Sequence, residues 1–221
     1  MTRVFFTCLF MQHLFGSHPS SSALADYISS LFTLTNQHPI PPEIKSYPDA
    51  VYFNYFAVGL SLLFSPINGY KPATELGLKD LHDKSLVLES IDLYNVPKRS
   101  SSNDQSKAAS SRSAELAFST FPVVPFTLSL VTKADDKRPL TLDVLPETTG
   151  KEFVVTLGEP DRKGGGAGPS SGSIGIWCEW SKDGIMVEFG GDEAKGPQAW
   201  ERGKDAVWKI ITVFRADNVE R

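Results

Sequence analysis

The sequence predicts an α+β fold built from two related units. Each is a helix followed by an antiparallel meander, and the two are packed together or share a continuous sheet. Three observations carry this expectation. First, residues 51–64 (VYFNYFAVGLSLLF) and 175–189 (GIWCEWSKDGIMVEF) share one skeleton, in which Tyr52, Tyr55, Gly59 and Phe64 answer to Trp177, Trp180, Gly184 and Phe189 at the same spacing. Second, each is followed by a strand-like run closing on an aromatic, VLESIDLY up to Tyr94 and VWKIITVF up to Phe214. Third, the stretch between the halves, PKRSSSNDQSKAASSRSA, is rich in serine and holds no large apolar residue. Such a segment cannot offset the entropy lost on ordering, and it reads as a flexible linker. The expected organisation is an N-terminal apolar segment (1–19), a first unit (20–95), the linker (96–114), and a second unit (115–221) with two extra strands at its start.

The segment before the first unit, MTRVFFTCLFMQHLFG, has one basic residue and an apolar run, followed by SSALA, somewhat like a secretory signal. Gln12 and His13 interrupt that run, and it is too short to span a bilayer. The expectation is an amphipathic helix packed on the first unit, no membrane insertion and a cytoplasmic location. Secretion is the alternative if residues 1–22 are removed.

Leu24, Tyr27, Ile28, Leu31 and Phe32 recur at helical spacing, with Ser20, Ser21 or Ser22 as the cap. HPIPPEIKSYPD then breaks the helix with its four prolines. In the hairpin that follows, Val51, Phe53 and Tyr55 point one way, and Tyr52, Asn54 and Phe56 the other. Residues 65–86 read as a long loop with one helical turn, and residues 87–94 close the meander. The second half opens with strands near 126–132 and 140–145. A short helix follows, capped by Thr148 or Thr149 and stopped by Gly158 and Pro160. A glycine-rich loop leads into the second hairpin, where Ile176, Cys178 and Trp180 share a face.

Composition narrows the function classes. The chain has 26 acidic and 22 basic residues, a net charge of −4. No basic face is available to neutralise a phosphate backbone, so nucleic acid is not an expected partner. Cys8 and Cys178 are too few for a disulfide framework or a thiolate zinc site, and the four histidines follow no metal-ligand spacing. No cofactor is expected. The glycines from Gly164 to Gly172 lack the Lys-Ser/Thr of a phosphate loop, and their helix precedes the loop where a strand should.

No Ser, Cys or His arrangement suggests a nucleophile and its base. Glu179 and Glu188 on neighbouring strands are the one carboxylate pair that could serve sugar hydrolysis. All four tryptophans fall in the last quarter of the chain. Trp177, Trp200 and Trp208, with Glu179 and Arg202 at the rim, form the expected binding surface for a protein partner. No catalytic residue is expected. A further alternative is a lipid or small-ligand carrier with a pocket between the units, lined by Phe53, Tyr55, Trp180 and Phe189.

The pattern YPD-x-x-Y-x-x-Y-x-x-x-GLSL-x-F with LESIDLYN resembles small α+β repeats of bacteria and fungi that have no assigned activity. LGEPDRKGGG, IWCEW and GIMVEFGG are similar to the second unit of such proteins. In architecture the chain distantly resembles the helix-plus-sheet repeats of the β-lactamase inhibitor protein and of outer-membrane assembly lipoproteins of the SmpA type. That resemblance implies a protein-binding module without catalysis.

Overall fold

The computed structural model describes residues 11–96, 117–131, 138–166 and 175–216. The chain divides into two compact units, one of residues 16–122 and one of residues 11–15 with those from 123 onward. The expected linker, apart from Val96, lies outside the described residues, as do Cys8 and most of the N-terminal segment. The division falls after Pro122, later than the serine-rich stretch suggests.

In the first unit, α1 (Ser22–Leu34) starts where the Ser21 hydroxyl accepts the Leu24 backbone N–H at 3.4 Å. Its buried stripe is Leu24, Tyr27, Ile28, Leu31 and Phe32, the expected set. Four antiparallel strands follow in the order β1 (Glu43–Tyr47), β2 (Ala50–Tyr55), β3 (Leu60–Pro66) and β4 (Leu86–Tyr94). Tyr52 lies opposite Leu63 and Tyr55 opposite Leu60. Between β3 and β4 the register slips by one residue: Leu63 faces Ser90, whereas Phe64 faces Leu88. That leaves Glu89 as a bulge. Gly59 turns the hairpin at φ +60°, and its carbonyl accepts the Tyr94 N–H at 3.0 Å. The core contains Val51, Phe53, Leu62, Phe64, Leu88, Ile91 and Leu93, with the Phe53 and Phe64 rings 4.8 Å apart. Burial pushes the Tyr55 hydroxyl, on the same side of β2, up to about 12.

The second unit opens with a separate two-stranded ladder of β5 (Phe126–Ser129) and β6 (Thr141–Val144). Helix α2 (Gly150–Leu157) follows, with a capping box in which Thr149 and Glu152 satisfy each other's backbone donors. Then come β7 (Arg162–Gly164), β8 (Trp177–Trp180), β9 (Ile185–Phe189), the short helix α3 (Ala199–Arg202) and β10 (Trp208–Phe214). The four strands β7, β8, β9 and β10 pair in sequence order and antiparallel. Trp177 lies opposite Glu188 and Trp180 opposite Ile185. Glu188 faces Ile210 and Phe189 faces Trp208, which leaves Lys209 as a bulge. Gly184 turns this hairpin at φ +66°, and its carbonyl accepts the Phe214 N–H at 2.8 Å.

The core of this unit holds Ile176, Cys178, Trp180, Val187, Phe189 and Trp208, with Phe153 of α2. Each buried indole finds an acceptor for its N–H: Trp180 in the Gly158 carbonyl at 2.9 Å, Trp208 in the Leu145 carbonyl at 2.8 Å. Asp183, in the β8–β9 turn, is buried and paired with Arg138 at 2.9 Å; it also accepts the Val131 N–H at 2.9 Å. The ladder of β5 and β6 is thereby fastened to the second hairpin.

The structure revises the expected meanders in two places. Each unit's meander has four strands among the described residues, because β1 and β7 arise in segments read as a proline break and a glycine loop. Both are outer strands of their unit's meander, where a missing inward-facing pattern and nearby prolines cost little. Residues 65–86 hold two 3-10 turns, Leu78–Asp80 and Asp83–Ser85. The described part of the N-terminal segment forms a 3-10 turn, Met11–Leu14, that belongs with the second unit. There the Gln12 side-chain amide donates to the Ser129 carbonyl at 3.2 Å. No helix among the described residues is long and apolar enough to cross a membrane.

Candidate functional site

Strand register decides which of the expected binding residues meet. In antiparallel pairs, opposed residues share a face. Trp177 pairs with Gly164, and its indole lies on that glycine so closely that a Cβ there would sit 2.7 Å from the ring. Lys163 pairs with Cys178 and so belongs to the other face; its ammonium lies 5.6 Å from the centre of the Trp200 ring. Trp177 and Trp200 are therefore placed on opposite sides of the second sheet. Trp200 is 45% exposed and Arg202 is exposed beside it on α3. Trp208, expected near an open aromatic surface, is 2% exposed, because the bulge at Lys209 turns it to the core against Phe126.

Glu179 and Glu188 do lie on one face, but opposite Met186 and Trp177 and not opposite each other. Each is tied to a cation: Arg162 donates to Glu179 at 3.3 Å and Lys209 to Glu188 at 3.0 Å. The Ser181 hydroxyl adds a 2.6 Å bond to Glu179. Phe53 and Trp180, expected to line a shared pocket, are each buried in the core of their own unit. Burial pushes the Cys178 thiol up to about 11, which leaves little thiolate for reaction. Among the described residues no group of three or more His, Cys, Asp or Glu is arranged to hold a metal ion.

A different surface is built like a ligand site. On the first unit, the face opposite its hydrophobic core is a concavity of about 490 Å³. Its lining includes Tyr47, Tyr52, Asn54, Phe56, Asp92 and Phe118. On the floor, the Ser61 hydroxyl donates to the Asn54 side-chain carbonyl at 2.8 Å, a cross-strand pair buried between β2 and β3. One wall is Tyr52 with Tyr47 edge-on to it, ring centres 6.2 Å apart. The other is Phe118 stacked flat on Tyr94 at 3.7 Å, with Phe56 edge-on at 4.6 Å. Backbone bonds from Ser119 to Phe56 and from Phe121 to Tyr94, both 2.8 Å, hold that wall in place. Lys45 and Asp49 stand at the rim.

Two solvent-accessible donors in this concavity have no hydrogen-bond partner among the described residues: the Asn54 amide nitrogen and the Tyr52 hydroxyl. Tyr52 is held protonated by burial and then by the carboxylate of Asp92, with Tyr47 and Asp49 adding to it. It is a fixed neutral donor. The alternation of Tyr52, Asn54 and Phe56 against the core was legible in the strand. The segment around Phe118 that closes the wall was not, because it follows the serine-rich stretch and forms no strand.

Comparison of the chain with models of known families, with characterised proteins and with solved structures finds no match.

Proposed function

We propose that the chain is a non-catalytic binding protein, and that its ligand sits on the polar, aromatic face of the first unit. One observation carries this reading: two donors, Tyr52 Oη and Asn54 Nδ2, line a walled concavity and have no hydrogen-bond partner among the described residues. Both donors are open to solvent, since Ser129 Oγ alone among the described residues is a buried side-chain polar atom without a partner, and a ligand seated in the concavity would take the place of their water. The volume falls within the range of about 300–1,000 Å³ usual for small-molecule sites. The ion pairs of Glu179 with Arg162 and of Glu188 with Lys209 support a non-catalytic reading, in which both carboxylates serve the sheet.

The same reading treats the two units as descendants of one helix-plus-meander element. In its support, the hairpin registers, the glycine turns and the bulges at Glu89 and Lys209 coincide position by position. On this reading only the first copy kept the polar face: Tyr52, Asn54, Ser61 and Asp92 answer to Trp177, Glu179, Met186 and Thr212.

A second reading keeps a protein partner, and the half-exposed Trp200 beside Arg202 favours it. Affinity capture with the wild type and with Trp200→Ala and Tyr52→Phe separates the two. Loss of a partner in Trp200→Ala alone supports the protein reading. For the small-ligand reading the test is ligand-detected NMR with mixtures of sugars, amino acids and nucleosides. Saturation transfer to one class, reduced in Tyr52→Phe, is expected; transfer to none, or transfer unaffected by the substitution, contradicts it.

A further inference from the structure

We infer that the concavity of the first unit takes a neutral, hydroxyl-bearing ring: a mono- or disaccharide. The inference rests on the reading of that face as the binding site and adds the chemistry of its occupant. Three classes are disfavoured by the lining itself. An anion would meet the carboxylates of Asp92 and Asp49, and Lys45, the one cation that lines the concavity among the described residues, already lies 3.5 Å from Glu43. An organic cation has no acceptor to offer the Asn54 amide and the Tyr52 hydroxyl, which would face it as donors. A purely apolar ring would cover the Asn54 amide and the Tyr52 hydroxyl without satisfying either.

What remains is a molecule that gives and takes hydrogen bonds around a ring with an apolar face. The Asn54 amide and the Tyr52 hydroxyl donate to ring or hydroxyl oxygens. The carboxylates of Asp92 and Asp49 accept from hydroxyls, and a carboxylate has room for several such bonds. The apolar C–H face of a pyranose lies against the aromatic rings of the lining. A tyrosine hydroxyl keeps its proton across the physiological range, and burial, then the carboxylate of Asp92, raise the Tyr52 value further. Rigid walls keep the ordering cost of binding low, since Phe118 and Tyr94 are already stacked and Ser61 already fixes Asn54.

The test is a titration of the full chain, followed by amide NMR, with glucose, galactose, N-acetylglucosamine, maltose and cellobiose. Glucuronate, glucosamine and adenosine serve as charged and aromatic counterparts. Saturable shifts confined to residues of β1–β3, the end of β4 and the segment around Phe118, with at least one neutral sugar, are expected. Tyr52→Phe keeps the ring and removes one donor; it should weaken that binding about tenfold while leaving the rest of the spectrum in place. Saturation at this face by a charged or aromatic probe alone overturns the saccharide assignment and leaves the site standing. No saturable shift there from any probe overturns both.

Discussion

Gly59 and Gly184 each turn a hairpin with a left-handed backbone, and each faces the chain too closely for a side chain. A Cβ at Gly59 would sit 2.3 Å from the Ser119 carbonyl oxygen, and one at Gly184 would sit 2.2 Å from that of Phe214. Left-handed strain alone costs about 1–2 kcal/mol, and backbone cannot step aside cheaply, so Gly184→Ala should lose at least about 2 kcal/mol. Urea unfolding that shows a lower midpoint at unchanged slope checks this. Gly59→Ala should also displace the segment at Ser119 and so open the wall at Phe118. Both glycines stood out in the sequence because their spacing from flanking aromatics repeats. The orientation of the tryptophans was less legible. Parity correctly parted Trp177 from Trp180, but one bulge at Lys209 reversed the expected side of Trp208. Bulges follow from local twist and pairing partners, which an isolated strand does not advertise.

At the scale of elements, α2 and the β5–β6 ladder carry the sharpest expectations. Glu152 accepts the Thr149 backbone N–H and hydroxyl at 2.7 and 2.8 Å, and these two bonds, the backbone one first, lower its carboxyl below the usual range. A lowered folded-state value means that the stabilisation is complete above the ordinary carboxylate range. It is lost as the pH falls through the lowered value. Glu152→Gln should therefore be less stable than wild type near neutrality, and the two should converge in acid; thermal melts across pH measure the gap. Removing Arg138 would leave Asp183 buried without its cation, its side chain only 2% exposed. Arg138→Ala should cost about 3 kcal/mol, more than a surface pair, and a urea series reads it directly. The helices were legible through periodicity and caps, α1 almost to the residue. Strands β1 and β7 were not. Prolines surround the first, and the second is three residues ending in glycine, so neither shows the apolar alternation of a strand covered on both sides.

At the scale of the molecule, the α+β class followed from the two aromatic hairpin patterns and the helical stretch ahead of each, and two compact units with antiparallel strands are present. The division falls at residue 122 because residues 117–121 complete the wall of the first unit. That placement also explains why the walled concavity could not be read from the tryptophan-rich quarter of the chain. An aromatic-rich strand signals core as readily as surface, whereas this concavity combines polar strand residues with a wall supplied from further along the chain. The account's central claim is that this first-unit face binds, and residue-resolved amide shifts of the full chain, titrated with maltose and cellobiose, test it most directly. It predicts saturable shifts at Tyr52, Asn54, Ser61 and Asp92, with Trp177 and Trp200 silent. Shifts confined to Trp177, Trp200 and Arg202 would contradict it.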